Sequence, residues 1–261
     1  MEGLMFGNVV ITGASSGIGW AMAEKMAKMG ANLGLLARRE DKLIQLAAKI
    51  KSAVPDCKVV ICSADVTSKE QVDAAFDKFT RELGPIDMLV ANAGVSNAMN
   101  ILNYDIEQAE RIYSTNVFGV LNCIAAVAGQ MAHRRSGKIV GVSSIASFSS
   151  FPNKHTYCAS KVALNFHLKG IRQELRPYNV QVMSLCPGFI KTPLTDANSY
   201  KMPMLLELDH GVDKLIAGII SENHLTAFPK PIYWYSRVRN FLPDWLLARI
   251  EPVHEVALPK T

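Results

Sequence analysis

Two rhythms of apolar and polar positions alternate along the 261 residues. Short runs rich in Val, Ile and Leu occupy residues 6–11, 31–36, 58–62, 86–91, 138–143 and 180–185, and each gives way to small or polar residues. Continuous apolar runs of this length predict strands buried on both faces. Between them, residues 40–52, 68–83, 106–132 and 157–176 repeat apolar side chains every three or four positions, which predicts helices. Thr67 or Ser68 is placed to cap the second of these, and Pro177 stops the last. Residues 212–220 read as a further helix and 225–228 as a seventh strand. The alternation predicts a doubly wound α/β fold with a mostly parallel seven-stranded sheet and helices on both faces. One domain over residues 1–261 is expected, with a cofactor-binding and catalytic core at 1–188 and a substrate loop and aromatic C-terminal extension at 189–261.

Ligands of such sheets bind beyond the carboxyl ends of the strands. Gly13, Asn92, Ser144 and Gly188 all fall at those ends, so distant parts of the chain converge on one crevice. The first strand runs into Thr12-Gly13-Ala14-Ser15-Ser16-Gly17-Ile18-Gly19 before a helical pattern through Met29. Glycines there admit positive φ and close approach of a diphosphate, whose charge the free N–H groups of the helix attract. The spacing is GxxxGxG rather than GxGxxG, and a turn that only shortens a loop is the plain alternative. After the second strand comes Ala37-Arg38-Arg39, with no acid to hold a ribose 2′-hydroxyl. Arg38, with Arg39 beside it, points to NADP(H), a solvated arginine pair being the other reading. Tyr157 and Lys161 lie one turn apart on the face marked by Leu164, Leu168, Ile171 and Leu175. A phenol titrates near about 10 and a neighbouring ammonium favours its anion, so Lys161 suits Tyr157 to general acid/base work. Asn116 interrupts a helical stretch as a poor helix former, which suggests a polar task.

Composition narrows the partners. The net charge of +5 is modest and its Lys and Arg are scattered among acids, which argues against a nucleic-acid surface and suits an anionic small molecule. Cys57, Cys62, Cys123, Cys158 and Cys186 are odd in number and form no CxxC pair, so neither a disulfide framework nor a metal site is expected, and a reducing cytoplasm is. Glu2 and the lack of a basic start argue against a cleaved signal peptide. Residues 117–132 are short for a membrane span and are interrupted by Asn122 and Gln130, so a buried helix is expected.

Taken together, these motifs resemble the single-domain branch of the short-chain dehydrogenase/reductase family over residues 6–192, which implies a Rossmann fold. The turn Gly13, Ser15, Ser16, Gly17, Ile18 and Gly19 is similar to the family's cofactor turn. Asp65-Val66 resembles its adenine contacts, Asn92-Ala93-Gly94 its sheet-stabilising turn, and Pro187-Gly188 with Ile190 and Thr192 its nicotinamide-side loop. The resemblance implies a catalytic tetrad of Asn116, Ser144, Tyr157 and Lys161. Tyr157 would exchange a proton with the substrate oxygen and Ser144, or its neighbour Ser143, would hydrogen-bond that oxygen. Lys161 would hold the nicotinamide ribose, Asn116 would bind a water leading to Lys161, and Ser15 and Arg38 would take the 2′-phosphate. The implied reaction interconverts a carbonyl and a secondary alcohol with NADP(H), and the implied assembly is a homodimer or homotetramer through the helices at 106–132 and 157–176, where the small-residue row Ala159, Ala163 and Gly170, with Phe166, would permit close packing. The chain departs from the family pattern at its end. Met202, Met204, Leu205 and Leu206, then Tyr233, Trp234, Tyr235, Phe241 and Trp245 among Arg237, Arg239 and Arg249, are expected to wall a hydrophobic substrate pocket. Subunit packing and peripheral membrane contact stay open as roles for this tail.

Overall fold

The structure, a computed structural model, describes residues 6–196, 198 and 202–250. Seven strands form one sheet: β1 Asn8–Thr12, β2 Asn32–Ala37, β3 Val59–Ser63, β4 Met88–Ala91, β5 Gly137–Val142, β6 Val180–Pro187 and β7 Leu225–Phe228. Their order is β3-β2-β1-β4-β5-β6-β7, and every neighbouring pair is parallel, so the expectation of a mostly parallel sheet is met by a wholly parallel one. The order reverses between β1 and β4, which opens a crevice at the ends of those two strands.

Period-two alternation sends successive side chains to opposite faces. Val9 and Ile11 join Leu33 and Leu35 under helices α1 Gly17–Lys28, α2 Glu40–Ala53 and, further on, Leu208–Ile220. Val10, Leu36 and Leu89 face α3 Lys69–Leu83 and the helices of the chain's middle third, where Phe76 and Phe79 stack edge to face at 5.9 Å. Ser68 rather than Thr67 caps α3, its hydroxyl accepting from the Gln71 N–H at 3.3 Å. The first strand starts two residues later than its apolar pattern suggests. Gly7 has φ +63 there, and the Asn8 side chain donates to the carbonyls of Leu83 and Pro85.

The stretch read as one helix over 106–132 is three pieces: α4 Ile106–Tyr113, a π turn at Ser114–Phe118, and α5 Gly119–Arg134. Its length and apolarity would suffice to cross a bilayer, but Cys123, Ile124, Val127 and Met131 are buried in the core. α6 His155–Leu175 runs beside it and passes into a short 3-10 turn at Arg176–Tyr178. The last crossover, from β6 to β7, contains α7 Pro193–Asp196 and α8 Leu208–Ile220, and α9 Lys230–Arg239 and α10 Asp244–Ile250 follow β7. α9 docks on the 3-10 segment Ile145–Phe148: Tyr233 meets Phe148 edge to face at 5.1 Å, Arg237 lies over the Phe148 ring and Arg239 over Phe151.

Candidate active site

Two joined cavities open at the carboxyl ends of the strands, sharing Ile18, Asn92, Gly94, Thr192 and Leu194 as a common wall. The smaller, about 350 Å³, is built from the glycine turn and the strand ends of β2 and β3. Gly13 and Gly17 take φ +67 and +56, a region that side chains rarely adopt. A Cβ on Gly13 would fall 2.8 Å from Ala93 Cα, and one on Gly19 would fall 2.5 Å from the Gly13 carbonyl and 2.6 Å from the Asn92 amide. The turn is therefore locked against β4, and Asn92 supplies the lock: its amide donates to the Thr12 carbonyl at 3.0 Å, and the N–H groups of Asn92 and Ala93 both donate to Thr12 Oγ1. Ser16 precedes α1 without capping it through its side chain, so the first N–H groups of that helix face the cavity mouth. The narrow glycine cradle and the open helix end fit a dinucleotide diphosphate.

The two arginines part company. Arg39 donates to Ser15 Oγ at 2.9 Å and to Ser16 Oγ at 2.8 Å, which holds its guanidinium over the glycine turn. Arg38, named with Ser15 from the sequence, is largely exposed and sits 3.6 Å from the Asp65 carboxylate. Asp65 also accepts from Thr67, and the Val66 carbonyl accepts from the Asn122 amide, so this loop is tied to α5.

The larger cavity, about 700 Å³, receives Ser143, Ser144, Tyr157 and Lys161 together with Pro187, Gly188, Ile190 and Thr192. Lys161 is 4% exposed, donates to the Val142 carbonyl at 3.0 Å, and stands 5.8 Å from the centre of the Tyr157 ring. Burial without a carboxylate partner lowers its pKa to about 8. The two serines differ. Ser143 is buried and donates to the Lys161 carbonyl at 3.3 Å, whereas Ser144 is half-buried, accepts from the Ala146 N–H and opens the 3-10 turn at the cavity wall. That geometry leaves Ser144 better placed than Ser143 to meet a ligand.

Asn116 is fully buried on the π turn. Its side-chain oxygen accepts from the Val95 N–H at 2.8 Å, and its amide donates to the Val95 carbonyl and to Ser160 Oγ. Both amide protons are thus engaged inside the protein. A Cβ on Gly94 would come within 3.3 Å of the Asn116 oxygen and 3.5 Å of Lys161 Nζ, which shows how closely the β4 turn, Asn116 and Lys161 are packed.

The apolar wall is not the one expected from the Met- and Leu-rich stretch. Met204 and Leu205 are exposed, and Leu206 bridges to Ile190 and packs on the core; residues 197 and 199–201 lie outside the described residues. Pro203 alone of residues 202–206 reaches the cavity, joined by Phe151, Phe189, Leu194, and Pro231, Ile232 and Tyr235 of α9. The tail therefore contributes through α9, while Trp234, Phe241 and Trp245 point outward. Lys154, Ser96, Phe151 and Phe189 escaped the sequence reading. None of the four carried a sequence signal of its own; Lys154, at the head of α6, is notable only for the cavity beside it.

A parallel sheet with a glycine turn at its switch point defines a Rossmann-type α/β fold. The short chain dehydrogenase family model matches residues 7–202, and the chain belongs to that family of oxidoreductases. An uncharacterised oxidoreductase of Myxococcus xanthus is 32% identical over 94% of this chain and 96% of its own length. A short-chain dehydrogenase of Sphingobium yanoikuyae, solved with NADPH, superposes with TM-score 0.80 at 28% identity, covering 96% of this chain and 98% of that one. One from Burkholderia phymatum, solved with NAD, shares the fold at TM-score 0.83 and 24% identity over 99% of this chain and 100% of that one.

Proposed function

We propose that this chain interconverts a carbonyl and a secondary alcohol on a predominantly apolar substrate, with NADP(H) as cofactor. The observation that carries the reading is the convergence of Tyr157, Ser144 and a buried Lys161 on one apolar cavity joined to the glycine cradle. When bound, the dihydronicotinamide supplies the hydride that reaches the carbonyl carbon. Tyr157 gives its phenolic proton to the substrate oxygen as charge gathers there, and takes a proton from the alcohol in the reverse direction. Ser144 donates a hydrogen bond to the same oxygen and fixes its position. Lys161 places positive charge behind the phenol and favours its anion. Asn116 acts as a positioning residue that holds the Val95 loop and α6 together. Arg39, braced on Ser15 and Ser16, supports the preference for a 2′-phosphate, with Arg38 at the rim.

The same reading has the enzyme in a reducing cytoplasm, supported by five thiols that are all free. Assembly through α5 and α6 is supported by exposed Phe118 and Phe166 and by the open faces of Gly129 and Gly170, which have no neighbour within 4 Å. The outward Trp234, Phe241 and Trp245 present exposed aromatic side chains suited to a bilayer interface. A dinucleotide-binding scaffold without turnover is the competing class, and one variant separates the two. Tyr157→Phe should abolish NADPH-dependent reduction of bulky ketones while NADPH binding, followed by fluorescence, stays near wild type. Wild-type turnover in that variant would remove Tyr157 from the chemistry.

A further inference from the structure

The larger cavity contains a charge that the proposed chemistry does not use. Lys154 sits just ahead of α6, three residues before Tyr157, and its half-buried side chain forms part of the cavity wall. Its Nζ donates to Ser96 Oγ at 3.3 Å, and Ser96 lines the same wall. Among the described residues, the lining includes two ammonium groups, Lys154 and Lys161, and no Asp or Glu. Lys161 is engaged with the Val142 carbonyl beneath Tyr157; Lys154 faces the Ser96 hydroxyl and the Cys158 thiol, which burial keeps protonated, and no carboxylate among the lining residues described. Burial accordingly pushes the Lys154 ammonium below its ordinary value.

A partly desolvated cation with only a neutral partner is unfavourable for an empty protein, and leucine or methionine would fill that wall at less cost. The arrangement becomes favourable when the occupant brings an anion, because a charge-assisted hydrogen bond then forms in low-dielectric surroundings. The positive end of the 21-residue α6 lies at the same place and has the same sign. A single ammonium beside one hydroxyl neutralises one negative charge, which matches a singly charged carboxylate better than a phosphate monoester of charge about −2.

Resting on the functional reading above, we propose that Lys154 and Ser96 form an anion subsite and that the substrate class is an amphipathic keto or hydroxy acid. Its carbonyl or carbinol lies at Tyr157 and Ser144, its apolar body against Phe151, Phe189 and Ile232, and its carboxylate at Lys154. The subsite selects among ketones and takes no part in proton transfer.

Two matched pairs test it: para-acetylbenzoate and benzoylpropionate, each against its methyl ester. Calorimetric binding to the NADPH-loaded enzyme should favour each acid over its ester by about tenfold or more. Lys154→Met should collapse that ratio toward unity, and Lys154→Arg should restore part of it. In steady-state NADPH oxidation the same loss should fall on KM rather than kcat. Equal binding of acid and ester by the wild type, no binding of either acid, or an unchanged ratio in Lys154→Met overturns the subsite. Acid binding that depends on Lys154 without any NADPH oxidation upholds the subsite and instead overturns the redox reading.

Discussion

At the scale of single residues, Lys161 shows how a site can be built against stability. It is charged in both folded and unfolded chains below about pH 8, and the folded chain then bears the burden of a buried ammonium. Between about 8 and 10.5 the unfolded chain holds more protons than the folded one, so this group's contribution makes stability rise with pH over that window. A shift of this size corresponds to about 3 kcal/mol, less about 1 kcal/mol for the bond to the Val142 carbonyl. Lys161→Met should therefore stabilise the cofactor-free protein at neutral pH by about 2 kcal/mol, and the gain should vanish above about pH 10. Urea unfolding at neutral and high pH measures it; a variant less stable than wild type at neutral pH contradicts the argument. The arginines give a second residue-scale prediction. Arg39→Ala should weaken NADPH binding by about ten- to a hundredfold with little change for NADH, because a charge-assisted contact is lost. Arg38→Ala should do less, since its guanidinium is exposed and already faces Asp65. Fluorescence titration of both cofactors checks this, and equal affinity of the wild type for the two would refute the NADP preference itself.

At the scale of elements, the π turn at Ser114–Phe118 is the informative irregularity. Helical periodicity runs through it unbroken, but the helix widens there into a π turn, from which the Asn116 side chain reaches across to Val95 and Ser160. One side chain thereby ties the β4 loop and α6 to the α4–α5 junction. Asn116→Leu keeps the branched shape but leaves the part-buried Val95 N–H and carbonyl without their side-chain partner, a loss of about 2–4 kcal/mol. Thermal melting should move down by roughly 5–15 °C, and turnover should fall with it; an unchanged melting temperature would mean that the network is dispensable. α9 is the second element whose role is local packing made functional. Its contacts with Phe148 and Phe151 fix Ile232 and Tyr235 against the cavity while leaving its other face open.

At the scale of the whole molecule, exposed apolar side chains occur on two different elements, α6 and the stretch from the end of α9 into α10. Phe166 on α6 is 72% exposed beside the open small-residue row, and Phe241 and Trp245 are 86% and 70% exposed near the end of the described chain. Apolar patches of this kind mark contacts with other surfaces. Phe166→Asp should lower the molar mass in light scattering to that of a monomer while leaving flotation with anionic phosphatidylserine vesicles intact. Phe241→Ser with Trp245→Ser should do the reverse. A variant that alters both properties, or neither, would contradict the division of labour between the two faces.

The sequence by itself determined the strands, most helices, the glycine turn, the strand-end position of Ser144 and the one-turn spacing of Tyr157 and Lys161, while the pairing of Ser144 with Tyr157 was implied by the family resemblance. Those features rest on local periodicity, backbone permissiveness at Gly13 and Gly17, and the rule that strand ends converge. Tertiary structure alone decided what depends on side chains crossing between segments. Arg39 rather than Arg38 turned toward Ser15, because adjacent residues leaving a strand point opposite ways and a sequence does not say which one faces the turn. The substrate wall passed from Met204 and Leu205 to α9, because a pocket is lined by whichever element the sheet carries past it, and composition records only that apolar residues exist. Lys154 went unread for the same reason: a lysine at a helix start is ordinary until the cavity beside it proves to hold no acid.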